Sequence, residues 1–443
     1  MIENFLPLLK NHDLCKHCLG RQYALLGYGL TNVDRSIILQ NSAVLELYPK
    51  LGINKEITKA YIKMGKMGNK LAQKALLKAN IPFDKNEEIQ CELCEGLFQR
   101  LSKIGESIYR KIADEEFQTY LVGARIDTKI MEREDRLRSQ YNITTGESIK
   151  SEFTRELGKW LGKKTGTKVD FKNPDLTVIV DLIKQEIELH KKSVYIYGRY
   201  QKLVRTIPQT KWPCHHCNGK GCEICEYTGK MYEESVEELI GEPILEIVGG
   251  SGTKFHGAGR EDIDAKMLGS GRPFVIEILD PNRRSINLRK IKRKVNKYAR
   301  KKVKISNLKK ANKETIQKIK GSSTNTRKTY RALVEFEEEI SDKDIQKLKE
   351  ELTGKTIVQR TPQRVEHRRA DKKRLRQVHK IEIEKLNHRK ISVLITTDGG
   401  LYIKELISGD DDRTKPSFAS ILDMKALCKK LDVMKIHMKY QNN

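Results

Sequence analysis

Four cysteines fall within twelve residues in Cys214-His-His-Cys217-Asn-Gly-Lys-Gly-Cys222-Glu-Ile-Cys225, and no other stretch restricts the chain so tightly. Two C-x-x-C turns joined by a glycine-bearing hinge bring four thiolates onto one tetrahedral ion, and such a site contributes folding free energy of its own. A redox dithiol needs only one pair, so the doubled pair favours metal. Cys15-Lys-His-Cys18 and Cys91-Glu-Leu-Cys94 repeat the pattern across a long interval. Apolar residues at three- and four-residue spacing over Asp34–Leu47 and Ile57–Leu77, with Gly65 and Gly68 as weak points, make that interval a helical insertion able to bring the pairs together. Two structural zinc sites are expected, with an iron–sulfur cluster open as the alternative. The nearby His17, His215 and His216 are not needed as ligands. Cys428 is left as a buried small apolar residue.

The charge balance narrows the partner. Lys and Arg total 86 against 59 Asp and Glu, a formal charge of +27 on 443 residues, which favours a polyanion such as nucleic acid. From Arg283 to Lys310 there are 14 Lys or Arg and no acidic residue. Ile286, Leu288, Ile291, Val295 and Tyr298 recur there with helical spacing, which predicts an amphipathic helix with a cationic outer face and salt-sensitive phosphate binding. No run of apolar residues is long enough to span a membrane, and the start MIENFLPLLKNHDLC lacks the marks of a signal peptide. A cytoplasmic protein with no membrane partner is the expectation.

Two further patterns set the fold class. From Gln118 onward, YLVGARI, an amphipathic helix over Glu147–Leu161, DLTVIVDLI, EIEL and SVYIYGRYQKL read as an α/β RNA-binding module. The last part reads as YRALVEF, a helix over Asp342–Leu352, TIVQRTP, VHKIEIEKL, ISVLITT, LYIKELI and DVMKIHM. That predicts an α/β (α+β) chain with a mixed, largely antiparallel C-terminal sheet. Asp398-Gly399-Gly400 reads as a turn after which LYIKEL starts a new strand. The segment 320–329 reads as a polar loop.

Between Gly249 and Pro281 lies the densest mixture of glycine, cation and carboxylate: seven glycines from Gly249 to Gly271 enclose Arg260, Glu261, Asp262, Asp264 and Lys266. Glycine lets a backbone approach a ligand closely. The window contains neither G-x-x-x-x-G-K-[ST] nor G-x-G-x-x-G, so no nucleotide cofactor is supported, and no H-E-x-x-H marks a catalytic zinc. What remains is an aspartate, Asp262 or Asp264, able to act as nucleophile or base on an extruded nucleotide, with Arg260 beside it and Tyr330 or Tyr402 to stack on the base.

The window GREDIDAKMLGSGRPFVIEILDP, with RTPQRVEHRRADKKRLRQV and LYIKELISGDDDRTKPS, resembles the archaeal and eukaryotic tRNA pseudouridine synthases that act on the T-loop. The split cysteine pairs resemble that family's N-terminal zinc site, and 118–205 resembles its THUMP-containing domain. The resemblance implies a zinc-binding, THUMP-like RNA-binding domain over 1–205, a knuckle and linker over 206–241 and a pseudouridine synthase domain over 242–443. It implies Asp262 as the catalytic aspartate, Tyr402 and Tyr330 against the target base, and Arg413 as a basic partner of the aspartate. The family's Gly-Thr-Tyr is Gly400-Leu401-Tyr402 in this chain, which removes a hydroxyl beside the site. The implied reaction isomerises uridine 54, uridine 55 or both in tRNA, by a monomer and without a cofactor for catalysis. A non-catalytic zinc-containing RNA-binding protein or tRNA chaperone is the alternative.

Overall fold

Two sheets organise the computed structural model, which describes residues 2–84, 89–321, 326–367 and 369–437. One lies in the unit Met1–Lys192 and the other in the unit Ser193–Asn443. Residues 322–325 of the polar loop and Met438 of the last expected strand lie outside the described residues.

In the first unit β1 (Thr119–Arg125), β2 (Lys168–Val169), β3 (Leu176–Asp181) and β4 (Glu186–Lys191) form a sheet in the order β2-β1-β3-β4. β1 is parallel to β2 and β3, whereas β3 and β4 are antiparallel. The helix Ile149–Thr165 buries Ile149, Phe153, Leu157 and Leu161 along one face. Ser148 caps its start by accepting from Ser151 N, and Gly166, at φ 71°, ends it in the left-handed region. The helical insertion is present between the two cysteine pairs. Its expected helix over 57–77 is split into Lys55–Lys66 and Lys70–Lys78, because Gly68 takes φ 77° and Asn69 caps a new start through Ala72 N.

In the second unit ten strands are described: β5 (Val194–Lys202), β6 (Gly252–Gly257), β7 (Lys266–Leu279), β8 (Val303–Ala311), β9 (Lys328–Phe336), β10 (Thr356–Gln359), β11 (Arg374–Asn387), β12 (Lys390–Thr397), β13 (Thr414–Lys415) and β14 (Ala426–Ile436). Their order is β13-β10-β11-β12-β9-β14-β7-β5-β8, with β6 paired to β7. β7 and β14 pair in parallel at Lys266 and Met267, and the other ladders are antiparallel. β7 is the spine, with Gly271 to Ile276 all buried in sequence. A strand covered on both faces reads as a continuous apolar run rather than an alternation.

Three elements differ from the sequence reading. β5, read with the RNA-binding module, pairs antiparallel with both β7 and β8 in the larger sheet. The basic stretch Arg283–Lys310 is a helix only over Leu288–Tyr298, after which Val303 and Ile305 turn inward as alternate residues of β8. β-branched residues at period two fit a pleated edge, and Lys304 between them is exposed, as are Lys309 and Lys310 farther along. LYIKEL is no strand: Ile403–Ser408 is a helix that buries Ile403, Leu406 and Ile407 at three- and four-residue spacing. Leu401 is buried in the core of this unit.

Candidate active site

The loop joining β6 to β7 is anchored by a glutamate. Glu261 buries its side chain completely, and Arg272 of β7 donates Nε to its Oε2 at 2.7 Å. The Tyr200 hydroxyl of β5 reaches both carboxylate oxygens at 2.8 and 2.9 Å. Arg272 Nη1 also donates to the Ala258 carbonyl at 2.8 Å, and Gln209 Nε2 donates to Tyr200 Oη at 2.7 Å and to the Gly259 carbonyl at 3.0 Å. Buried charges persist when paired and hydrogen-bonded, which is the condition met here. Gly259 sits at φ 81°, a conformation that favours glycine, and a Cβ there would lie a tight 3.0 Å from Arg272 Nη1.

Lys202, buried beneath the same loop, donates its Nζ to the carbonyls of Ile207, Asp262 and Ile263 at 3.0, 3.1 and 2.9 Å. Burial pushes its ammonium down to about 8. With Glu261 held inward from below, the next side chain, Asp262, faces outward into a cavity of about 660 Å³. Small-ligand pockets typically span about 300–1,000 Å³. Eight Arg or Lys line it against the three carboxylates Glu261, Asp262 and Asp264. A concave wall with such an excess of cations concentrates anionic ligand near the site.

The structure gathers four of the five expected site residues here: Arg260, Asp262, Tyr330 and Tyr402 all line the cavity. Asp262 pairs with Arg364 Nη1 at 3.1 Å, and Lys404 Nζ stands 3.9 Å away. Asp264 takes the shorter contact with Lys404, 2.7 Å, on a more exposed side chain. Partial burial pushes the Asp264 carboxyl up, but the Lys404 contact outweighs it and holds the group below the usual range. Arg364 is itself fixed by the buried Glu405, Nε to Oε1 at 2.5 Å.

Tyr402 is fixed through its backbone. Its N–H donates to Gln359 Oε1 at 2.8 Å and its carbonyl accepts from Gln359 Nε2 at 3.0 Å, on the fully buried Gln359 at the end of β10. Its hydroxyl accepts from Arg369 Nη1 at 3.0 Å, while the guanidinium groups of Arg364 and Arg374 lie 5.9 and 5.8 Å from its ring centroid. Tyr330 projects from β9 between Ile395 and Val433 of the adjoining strands, and burial pushes its phenol up to about 12. Lys328, two residues earlier, also lines the cavity, and burial followed by the Arg272 charge pushes its ammonium down to about 8.

One assignment of a partner changes. Arg413 does not line the cavity. Its guanidinium donates to the Thr361 carbonyl at 2.7 and 3.1 Å and meets Glu366 and Asp371 at 3.2 and 3.3 Å, so it braces the 361–371 segment that carries Arg364 and Arg369. Asp262 instead meets Arg364, with Lys404 farther off. Arg260, expected beside the aspartate, places its guanidinium 4.8 Å from the centroid of the Trp212 ring. Arg364, Arg374, Gln359, Lys202 and Trp212 were not singled out from the sequence. The arginine density of RTPQRVEHRRADKKRLRQV was the available signal for the first two, and nothing local marked the other three.

Both four-cysteine groups converge, each with its four Sγ atoms within 4.8 Å of one another. A tetrahedral zinc with bonds of about 2.3 Å sets sulfurs about 3.8 Å apart. Cys15–Cys94 at 3.7 Å, Cys214–Cys222 at 4.0 Å, Cys217–Cys225 at 3.8 Å and Cys222–Cys225 at 3.7 Å fit that ion. Backbone N–H groups aim at the sulfurs as they do at thiolates: Gly221 to Cys217 at 3.1 Å, Cys222 and Gly229 to Cys225 at 3.2 Å each. In the first site Arg21 Nη1, fully buried, donates to Cys18 Sγ at 2.7 Å.

Comparison with known proteins bears directly on this geometry. The model of the family described as Pus10, C-terminal, matches residues 195–437, and that of the Pus10 THUMP domain, archaeal, matches residues 104–181. The chain belongs to the Pus10 family. A relative from Methanocaldococcus jannaschii, named tRNA pseudouridine synthase Pus10, is 43% identical over 432 residues, covering 97% of this chain and 93% of the relative. One from Methanopyrus kandleri with the same name is 37% identical over 439 residues, 98% of each chain. The Pus10 C-terminal match begins at the second residue of β5 and takes in the loop of Asp262, the strand of Tyr330 and the turn before Tyr402, so the whole cavity lies within it. No helix among the described residues is long and apolar enough to cross a membrane.

Proposed function

We propose that this chain is a tRNA pseudouridine synthase that isomerises uridine 54, uridine 55 or both in the T-loop, with Asp262 as the catalytic carboxylate. The observation that carries the reading is the meeting, in one cationic cavity, of an outward-facing aspartate on a tightly anchored loop with two tyrosines from distant parts of the chain. The names of the relatives supply the reaction class.

In this reaction the C1′–N1 bond of the nucleotide breaks, the uracil rotates in place, C5 bonds to C1′, the proton on C5 is lost and N1 takes one up, so that the product is an isomer of the substrate. Asp262 starts it by attack at the sugar or by removing a sugar proton. Tyr402, braced by its arginines, packs against the base so that the freed uracil turns without leaving, and Tyr330 lines the same cavity. The arginines and lysines hold the neighbouring phosphates, and holding the fragments together is worth several kcal/mol of the barrier. No nucleotide cofactor enters the scheme, and the chain acts as a monomer on tRNA in the cytoplasm. The two cysteine groups hold structural zinc. Pseudouridine mapping of one defined tRNA before and after incubation with the protein tests the reading: new pseudouridine at 54 or 55 supports it, and an unchanged map with bound tRNA favours a non-catalytic tRNA-binding protein.

A further inference from the structure

The knuckle and the cavity are joined by one residue. Trp212, the residue before Pro213-Cys214, lines the cavity, and Arg260, two residues before Asp262, lays its guanidinium over the indole at 4.8 Å. The knuckle fixes that indole from behind. Met231 N donates to the Trp212 carbonyl at 3.0 Å, Cys214 N donates to the Gly229 carbonyl at 2.8 Å, and Pro213 bridges Lys230. Tyr232, the residue after Met231, meets the indole edge-on with ring centroids 5.6 Å apart. Below, Val236 N and Glu237 N donate to the carbonyls of Pro208 and Gln209 at 3.0 Å each, and Gln209 is the residue that holds the Gly259 carbonyl. The segment leading into the cysteines therefore runs along the loop of Asp262, with its two ends closed by the knuckle ladder and by the start of the helix Val236–Val248.

Resting on the RNA-modifying reading above, we infer that Trp212 is a positioning residue through which the four-cysteine knuckle, Cys214, Cys217, Cys222 and Cys225, places Arg260 over the mouth of the cavity to receive a phosphate of the RNA. Arg260 carries a long, exposed side chain whose guanidinium has many rotamers open to it. An indole face restricts it by a cation–π contact. The ladder that orients the indole is only a few residues wide and is closed by the cysteine turns, so an ion held by Cys214, Cys217, Cys222 and Cys225 would keep the indole in place by joining those turns.

The test measures RNA binding and tryptophan emission as well as turnover. The chain has two tryptophans, and a Trp160→Phe background leaves Trp212 as the reporter. Trp212→Ala and Arg260→Gln should each raise KM and Kd for tRNA by about tenfold and lower the slope of log K against log salt by about 0.7–0.9, the value for one lost phosphate contact. The kcat should change little, Trp212→Phe should restore most of the loss, and the two losses should not add. Cys217→Ser should copy Trp212→Ala and red-shift the Trp212 emission. A wild-type salt slope in both Trp212→Ala and Arg260→Gln overturns the inference, as does unchanged Trp212 emission in a Cys217→Ser protein that has lost its metal. Arg260→Gln leaves every knuckle contact in place, so it carries the test even where the cysteine variant does not fold. A protein that makes no pseudouridine defeats the enzymatic reading instead, since slope and emission are read on binding alone.

Discussion

Replacing Glu261 by glutamine removes the charge but keeps the shape of the residue that anchors the Asp262 loop. Its carboxylate is fully buried against Arg272, itself 2% exposed at the side chain, so the variant leaves the Arg272 guanidinium buried and uncompensated. Removing one partner of such a pair costs about 3–5 kcal/mol. For a unit of this size each kcal/mol moves the midpoint by about 2–4 °C, so the Ser193–Asn443 unit should unfold roughly 6–20 °C earlier. Calorimetry of the full chain reads this directly. Glu261→Leu combined with Arg272→Leu removes both charges and should lose less than either single change, whereas Tyr200→Phe, which removes one donor, should cost only about 1–2 kcal/mol. Turnover on tRNA should fall in Glu261→Gln even at temperatures where the protein remains folded, because the loop bearing Asp262 loses its fixed point. A midpoint within about 2 °C of wild type, less than the smallest cost assigned to a broken buried pair, would refute the anchoring argument.

Tyr402→Phe loses the Arg369 hydrogen bond but keeps the ring, so kcat/KM should fall by no more than about tenfold, while Tyr402→Ala should cost about 5- to 150-fold through lost stacking; steady-state assays on a T-arm transcript separate the two. Lys328 loses its proton as pH rises through about 8, so it is cationic below that pH and neutral above it. Binding of tRNA should therefore weaken between pH 7 and 9, at fixed salt and relative to Lys328→Met, by up to about tenfold for one phosphate contact, and identical pH profiles for the two proteins would remove Lys328 from the binding surface. Elemental analysis of protein purified without chelator should find two zinc ions per chain, and finding iron with sulfide instead would replace zinc by a cluster at one or both sites.

Local signals carried much of the fold. The helix Asp342–Leu352 was legible to the residue because Ser341 and Asp344 form a capping box ahead of a clean apolar stripe. β9 and β12 were legible because each alternates buried and half-exposed residues at period two. The basic segment misled because its apolar spacing fits a helix as far as Tyr298, and charge alone does not show where the period changes. LYIKEL misled because six residues with three apolar side chains suit either state, and the packing of Ile403, Leu406 and Ile407 into the core decides it. Of the site, the sequence supplied the cluster on the glycine loop and the family resemblance selected Asp262 and the two tyrosines. The cation on Asp262 escaped both, since Arg364 is far along the chain and no sequence rule tells an arginine that reaches a carboxylate from one, such as Arg413, that braces the segment beneath it. Glu261 was visible as a charge, but its role required knowing that Tyr200 and Arg272 converge from β5 and β7.

The central claim is that Asp262, and not its neighbour Asp264, performs the chemistry. Single-turnover formation of pseudouridine on one defined tRNA, with Asp262→Asn and Asp264→Asn compared at equal occupancy of bound tRNA, tests it most directly. The account predicts no product from Asp262→Asn with tRNA affinity retained, and product from Asp264→Asn at a rate reduced only by the loss of its Lys404 contact. Product from Asp262→Asn at the wild-type rate contradicts it.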